Sequence, residues 1–186
     1  MKYNTCEEYF MKYNSLSTFV STLSEQQPMA ITVRILVGTT TGNTQYVAEE
    51  AHFNLQQAGA QGEILQMDEL DAKVFEPAAI YLVCMSTYGY GDVPANAKKL
   101  YESLVKDRPN LTGIRYGLVS LGDSSHAQTY CFGGRRFDQI LTKLGARRVG
   151  EVLEHDASAG LMPEEFAAAW IGPWFALVRA EHAVAA

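Results

Sequence analysis

The chain has 186 residues, of which 47% are hydrophobic and 19% are charged. This composition suits one α/β domain with a full core and excludes a disordered or fibrous chain. The net charge of −6, with basic residues clustered only as adjacent pairs, argues against nucleic acid as the main partner and favours electropositive proteins. The cysteines show no Cys-x-x-Cys spacing and the histidines form no ligand pair, so no metal site is predicted.

Residues 1–28 differ in composition from the rest of the chain and end at Gln26-Gln27-Pro28. We interpret them as an N-terminal extension, either disordered or upstream of a true start at Met29, with a short helix around residues 6–13 as the alternative. They lack the basic start and apolar stretch of a signal peptide, and no later run approaches membrane-spanning length. We therefore expect a cytoplasmic protein that does not contact membranes.

Three apolar, β-branched runs at residues 31–37, 79–84 and 116–121 are typical of strands buried on both faces. Weaker, edge-like strands are predicted at 63–67 and 147–153. Between and after the strands, apolar residues at helical spacing predict four helices. Their stripes comprise Val47, Ala51, Leu55 and Ala58; Ala97, Leu100, Tyr101 and Leu104; Phe137, Ile140, Leu141 and Leu144; and Phe166, Trp170, Trp174 and Val178.

Repeated alternation of strand and helix predicts an α/β fold with a doubly wound, five-stranded parallel sheet of order 2-1-3-4-5. The domain is expected to span residues 29–180, with a C-terminal tail at 181–186. Loops rich in glycine and hydroxyl groups, at 38–44, 86–94 and 121–131, follow strands one, three and four. Those strands are neighbours in this order, so a planar ligand that carries a phosphate would contact all three loops at the switch point.

The first of these loops has the sequence GTTTGNT at residues 38–44 and contains no lysine or arginine. A turn that opens a helix presents unpaired N–H groups and the positive end of the helix dipole, so neutral donors suffice to hold a phosphate there. A P-loop nucleotidase would have Lys and Ser/Thr where Asn43 and Thr44 stand.

Three motifs together resemble the flavodoxin family, in particular its short-chain branch and the FMN domains of sulfite reductase flavoproteins and diflavin reductases. They are GTTTGNT at 38–44, STYGYGD at 86–92, and SLGDSS at 120–125, which continues to Tyr130 and Cys131. The resemblance spans roughly residues 31–178 and implies a flavodoxin-like fold that binds FMN. The insertion that interrupts the fifth strand of the family's longer members has no room before Pro163.

By this resemblance, Thr39 to Thr44 bind the 5′-phosphate and Tyr88 stacks on the isoalloxazine ring. His126 stands where relatives place a stacking tyrosine, so either His126 or Tyr130 is expected to form the second stacking face. The full set of predicted cofactor-binding residues is Thr39, Thr40, Thr41, Gly42, Asn43, Thr44, Ser86, Thr87, Tyr88, Gly89, Tyr90, Gly91, Leu121, Gly122, Asp123, Ser124, His126, Tyr130 and Cys131.

Gly89 is the candidate for redox control at flavin N5, because a glycine peptide can flip without a Cβ clash and offer a carbonyl to a protonated N5. The alternative is that Gly89 and Gly91 only form a tight turn. Acids such as Asp92 and Asp123 should oppose formation of the anionic, two-electron-reduced flavin and attract electropositive redox partners.

The expected function is a monomeric carrier that moves single electrons from an NADPH-dependent reductase to an acceptor protein, rather than a self-sufficient enzyme. Two alternatives remain open at this point. One is an FMN-dependent NAD(P)H quinone reductase. The other, more remote, is a serine hydrolase of related fold with Ser124 as nucleophile and His126 nearby.

Overall fold

A computed structural model of the chain describes residues 31–77 and 79–185. The predictions for residues 1–28 and for a start at Met29 lie outside these ranges.

The described residues form one parallel sheet with the strand order β2-β1-β3-β4-β5, which confirms the predicted order. A sixth strand, β6, also pairs with β4. The strands are β1 (Thr32–Gly38), β2 (Gln61–Gln66), β3 (Ile80–Met85), β4 (Arg115–Gly122), β5 (Arg147–Arg148) and β6 (Leu153–Asp156). Every residue of β3 is buried, as expected for a central strand covered on both faces.

The predicted fifth strand at 147–153 is wrong in one respect, because it is divided into two short strands. β5 pairs with the start of β4, and β6 pairs with its end through Val119 to Gly122. The chain between them contains Gly150 in the left-handed region at φ 71°, which extended strand geometry does not allow. This break lets the chain return to β4 at the carboxyl edge of the sheet.

Four longer helices cover the sheet: α1 (Asn43–Gln57), α2 (Lys98–Asp107), α3 (Phe132–Lys143) and α4 (Pro163–Ala185). α1 and α4 pack on one face, and α2 and α3 pack on the other. Gly59 and Gly145 follow α1 and α3 at positive φ, which is why these helices end there. Ala58 was predicted within the buried stripe of α1 but is exposed, because it lies at the end of the helix.

α4 begins at the predicted Pro163 and continues through Pro173 to Ala185, into the stretch expected to be a tail. Trp170 and Trp174 stack at 5.5 Å between ring centroids. The Trp174 indole covers Gly117 of β4, where a Cβ would collide with it, and donates a hydrogen bond to the Val149 carbonyl at 3.1 Å. No helix in the described ranges is both long and apolar enough to span a bilayer.

Candidate functional site

A crevice of about 250 Å³ lies at the carboxyl edge of the sheet, between the ends of β1, β3 and β4. All three predicted loops contribute to it, as the strand order requires. Its lining residues are Thr41, Asn43, Ser86, Thr87, Gly89, Leu121, Gly122, Asp123, His126, Thr129 and Ala157. Thr129 and Ala157 were not in the predicted set.

The first loop leaves donor groups free at the start of α1. Gly42 precedes the helix at φ 90°, no side chain caps the helix, and no acidic residue lies in its first turn. The Thr39 hydroxyl is used within the loop, since it accepts the Gly42 N–H at 2.9 Å. The Thr44 hydroxyl oxygen is fully buried and has no hydrogen-bond partner in the described part of the chain. A buried orphan hydroxyl beside an uncapped helix start fits an anionic ligand.

Asn96 supports this loop, although the sequence analysis did not identify it. Its side-chain oxygen accepts the Thr39 N–H at 2.8 Å, and its side-chain nitrogen donates to the Val37 carbonyl at 3.0 Å. It lies in the turn Ala95–Ala97, which follows the second loop. In the sequence Asn96 is marked only by its position two residues after Pro94, and its hydrogen-bond partners lie up to 59 positions away.

The second loop is a narrow turn closed by paired hydrogen bonds between Tyr88 and Asp92. Gly89 and Gly91 both have positive φ, at 52° and 89°. A Cβ at Gly91 would collide with Phe132, whereas a Cβ at Gly89 would meet no atom within 4 Å. At Gly89 it is therefore the positive φ, and not a lack of space, that favours glycine.

The three predicted residues of this loop that do not line the crevice differ in exposure. Tyr88 and Tyr90 are 50% and 93% exposed, and Gly91 is buried. The tyrosine rings therefore lie at the rim, outside the crevice wall formed by Ser86, Thr87 and Gly89.

The polar groups of the third loop pair with one another and with residues in and after β6. Asp123 accepts hydrogen bonds from the Ser125 hydroxyl and N–H, which lower the pKa of its carboxyl. Asp156 of β6 accepts from the N–H groups of Ser124 and Ser158 and from the Ser158 hydroxyl, and its pKa is lowered strongly for the same reason. Both carboxylates therefore stay ionised; Asp123 lines the crevice, and Asp156 directly precedes the lining residue Ala157.

The two candidates for the second stacking face occupy different environments. The His126 side chain is 75% exposed and lines the crevice. Tyr130 is half-buried, packs near the Cα of Gly122, and has its pKa raised to about 12 by burial. The guanidinium of Arg135 lies 6.0 Å from the centroid of the Tyr130 ring.

Cys131 lies beneath the crevice and does not line it. The residue is fully buried, and its thiol donates to the Ser120 carbonyl at 3.4 Å. A Cβ at Gly122 would approach the Cys131 backbone nitrogen to 2.5 Å, so the close packing of these two segments requires glycine there. The role of Cys131 in this geometry is to support the floor of the crevice.

Ser124 is not arranged as a hydrolase nucleophile. Its hydroxyl lies 2.9 Å from the Ser158 hydroxyl and contacts no histidine. His126 uses one ring nitrogen, Nδ1, toward both Ser125 and Asp123, whereas a catalytic triad needs serine and acid on opposite nitrogens of the imidazole.

The family model described as Flavodoxin matches residues 35–170. The chain belongs to the flavodoxin family. The match includes all three crevice loops, and the five-stranded order of the sheet agrees with it. FMN is the cofactor of this flavodoxin, and the protein is a flavodoxin-like electron-transfer protein. The orphan Thr44 hydroxyl and the uncapped start of α1 fit the phosphate of that cofactor.

Two curated proteins and one solved structure illustrate the similarity. The chain is 36% identical over 149 residues to flavodoxin YqcA of Pectobacterium carotovorum subsp. carotovorum, and the aligned region covers 80% of this chain and 98% of that protein. It is 35% identical over 140 residues to the sulfite reductase (NADPH) flavoprotein alpha-component of Bacillus subtilis, covering 75% of this chain and 22% of that protein. A cysteine-to-serine mutant of flavodoxin from Pseudomonas aeruginosa superposes with a TM-score of 0.71 at 31% identity, covering 80% and 99% of the two chains.

Proposed function

We propose that this flavodoxin carries single electrons between an NADPH-dependent reductase and an acceptor protein. Exposed groups at the crevice support this proposal: Asp123 lines it as an ionised carboxylate, the ionised Asp156 directly precedes the lining residue Ala157, and Tyr88 is 50% exposed. A rim with exposed aromatic and anionic groups suits brief contact with an electropositive protein. The similarity to a sulfite reductase (NADPH) flavoprotein supports a donor of that type.

The first loop is proposed to hold the phosphate of FMN. The Thr44 hydroxyl would donate to a phosphate oxygen, and the N–H groups at the start of α1 would donate to the others. When bound, FMN supplies chemistry in which electrons enter and leave singly or in pairs. All donors in this loop are neutral, so the phosphate keeps its charge near the flavin and opposes a further negative charge there.

The second and third loops are proposed to hold the ring. Tyr88 would cover one face, and His126, which lines the crevice, or Tyr130 would cover the other. Gly89 would present its carbonyl to N5 after a peptide flip, since glycine adopts both the positive φ seen here and the conformations on either side of a flip without strain. Asp123, which keeps its negative charge, would make reduction to the anionic form less favourable.

Charge pairing identifies which acids would meet a partner. Asp92 is paired with Arg136 at 3.0 Å, and Glu154 with Arg135 at 2.9 Å. Neither Asp123 nor Asp156 contacts a lysine or arginine within the described ranges. Their charge is therefore available to an electropositive surface.

The experiment that tests the carrier is anaerobic reduction of the FMN-loaded protein by NADPH, with and without a ferredoxin-type reductase. We expect the flavin to bleach only when the reductase is present. The rate should fall with added salt, and the double change Asp123→Asn with Asp156→Asn should flatten that salt dependence. If NADPH alone bleached the flavin, the protein would instead be an enzyme that uses NADPH directly, such as an FMN-dependent quinone reductase.

We further propose that the carrier is a monomer and works in the cytoplasm. A carrier that meets two partners in turn through one rim must leave that rim uncovered. Sedimentation of the FMN-loaded protein at micromolar concentration should give the mass of a single chain, and a dimer that buries Tyr88 would contradict the proposal.

A further inference from the structure

Asn96 completes the hydrogen bonding of the sheet at the point where the first loop begins. β2 ends at Gln66, which is paired with Val37, whereas on the other side β3 continues to pair with Gly38. The Ser86 N–H donates to the Gly38 carbonyl at 2.9 Å on that side. Alternate peptide groups of a strand face opposite neighbours. The Val37 carbonyl and the Thr39 N–H therefore face the side on which β2 has already ended.

The carboxamide of Asn96 satisfies both of these groups. It accepts the Thr39 N–H at 2.8 Å and donates to the Val37 carbonyl at 3.0 Å. In a parallel ladder, the carbonyl before a residue and the N–H after it bond to one residue of the neighbouring strand. One side chain thus replaces one residue of a strand and extends the ladder beside Gly38.

This arrangement fixes the direction in which the first loop leaves the sheet. Thr39, whose N–H is held by Asn96, accepts the Gly42 N–H through its hydroxyl at 2.9 Å. Gly42 in turn is the residue from which α1 starts. A short chain of hydrogen bonds therefore runs from Asn96 through Thr39 to Gly42, the residue that precedes the uncapped helix start.

We propose that Asn96 is a positioning residue for the phosphate of FMN. It does not reach the ligand itself but holds the loop whose donors do. Because Asn96 follows the second loop closely in sequence, it also ties the loop proposed for the phosphate to the loop proposed for the ring. This inference rests on the proposed placement of the phosphate in the first loop.

The test compares FMN with riboflavin, which has the same ring but no phosphate. Flavin fluorescence quenching gives the dissociation constants for wild type, Asn96→Ala and Thr44→Val. Loss of two hydrogen bonds that organise the loop should weaken FMN binding by about 10-fold or more and riboflavin binding by less than about 3-fold. Asn110→Ala is the matched control, because Asn110 accepts the Thr112 N–H at 3.0 Å in a loop that precedes β4, and it should change neither constant.

A second variant keeps the test valid if Asn96→Ala folds poorly. Asn96→Asp retains an acceptor for the Thr39 N–H but faces the Val37 carbonyl with a carboxylate when ionised. Its neutral acid can again donate to that carbonyl. Partial burial and the facing Val37 carbonyl both disfavour the carboxylate, so the pKa of this acid should lie above the ordinary value of about 3.9. The affinity of Asn96→Asp for FMN relative to wild type should therefore recover as the pH falls from about 8 to about 4, which a purely structural defect does not predict.

The outcomes separate this inference from the placement on which it rests. If Thr44→Val loses the preference for FMN over riboflavin and Asn96→Ala keeps it, the role of Asn96 is refuted and the phosphate site stands. If both variants keep the preference, the placement of the phosphate is refuted together with the inference. Equal losses for both flavins in Asn96→Ala, with no recovery of Asn96→Asp at acid pH, would make Asn96 a residue of general stability only.

Discussion

The first and third loops both follow strands at the same edge of the sheet, and each is tied to a distant residue, yet they differ in the polar groups that they leave without a partner. The polar groups of the third loop are paired, since Asp123 accepts from Ser125 and Asp156 of β6 accepts from Ser124. The first loop is held from outside by Asn96, and it leaves the Thr44 hydroxyl without a partner in the described structure. A loop whose donors are already used can shape a surface, whereas a loop with buried free donors is prepared for a ligand.

This difference assigns separate tasks to the two loops. The first should supply most of the cofactor's binding free energy through its donors. The third should supply a surface for the ring and negative charge for a partner.

The largest effect is expected for Thr44→Val, which removes the orphan hydroxyl and keeps the side-chain shape. FMN affinity should fall by about 10- to 100-fold, because a hydrogen bond to a charged phosphate is lost. The FMN-free protein should be unchanged or stabilised by up to about 1 kcal/mol, since a buried hydroxyl without a partner is removed. Titration calorimetry measures the expected fall in FMN affinity, and urea unfolding measures the expected absence of destabilisation in the FMN-free protein.

Thr32→Val is the matched control for this change, because Thr32 is the first residue of β1 and lies at the end of the strand opposite to the first loop. Its affinity for FMN should equal that of wild type. If Thr44→Val destabilised the FMN-free protein and left the affinity unchanged, the first loop would be no more prepared for a ligand than the third.

Gly89→Ala should cost about 1 kcal/mol of folding free energy, because alanine is strained at a positive φ although space for its Cβ is free. The variant should also accumulate less of the blue, one-electron-reduced flavin during anaerobic photoreduction. Gly113→Ala carries a similar strain at φ 92° with equally free space, before β4. It should lose stability but retain the wild-type amount of the blue form.

A smaller effect is expected in the third loop. Because His126 lines the crevice, His126→Ala should weaken both FMN and riboflavin by about 5-fold through loss of ring contact. Tyr130→Ala should reduce stability more than affinity, since that ring is packed near Gly122. Binding titrations of both variants with FMN and riboflavin show which residue contacts the ring. A larger loss of affinity in Tyr130→Ala than in His126→Ala would make Tyr130 the stacking residue.

The smallest effect concerns acid stability. The pKa of Asp156 is lowered in the folded protein from its ordinary value of 3.8, so its hydrogen bonds add stability above about pH 4 that is lost as the pH falls. Asp156→Asn does not titrate, and its free energy of unfolding should therefore fall less steeply than that of wild type between about pH 5 and about pH 2. Parallel curves for the two proteins would show that these serine contacts do not depend on the charge.

The sheet order and the meeting of three loops were predictable because they follow from periodic apolar runs and from the rules of parallel connection. The division of the fifth strand was not, since it depends on the left-handed backbone of Gly150. Asn96 and Asp156 escaped sequence analysis because each acts on a loop far along the chain, at separations of 57 and 32 residues.

The stacked indoles of α4 give this flavodoxin a built-in optical reporter. Trp170 and Trp174 are the only tryptophans of the chain, and both lie on the helix that packs against the sheet face shared with α1. Their emission overlaps the absorption of a flavin, so energy transfer should quench it when the cofactor binds. Unfolding should restore the emission and shift it to longer wavelength as the indoles meet water. Cofactor loading and the docking of the last helix can therefore be followed in one unlabelled sample.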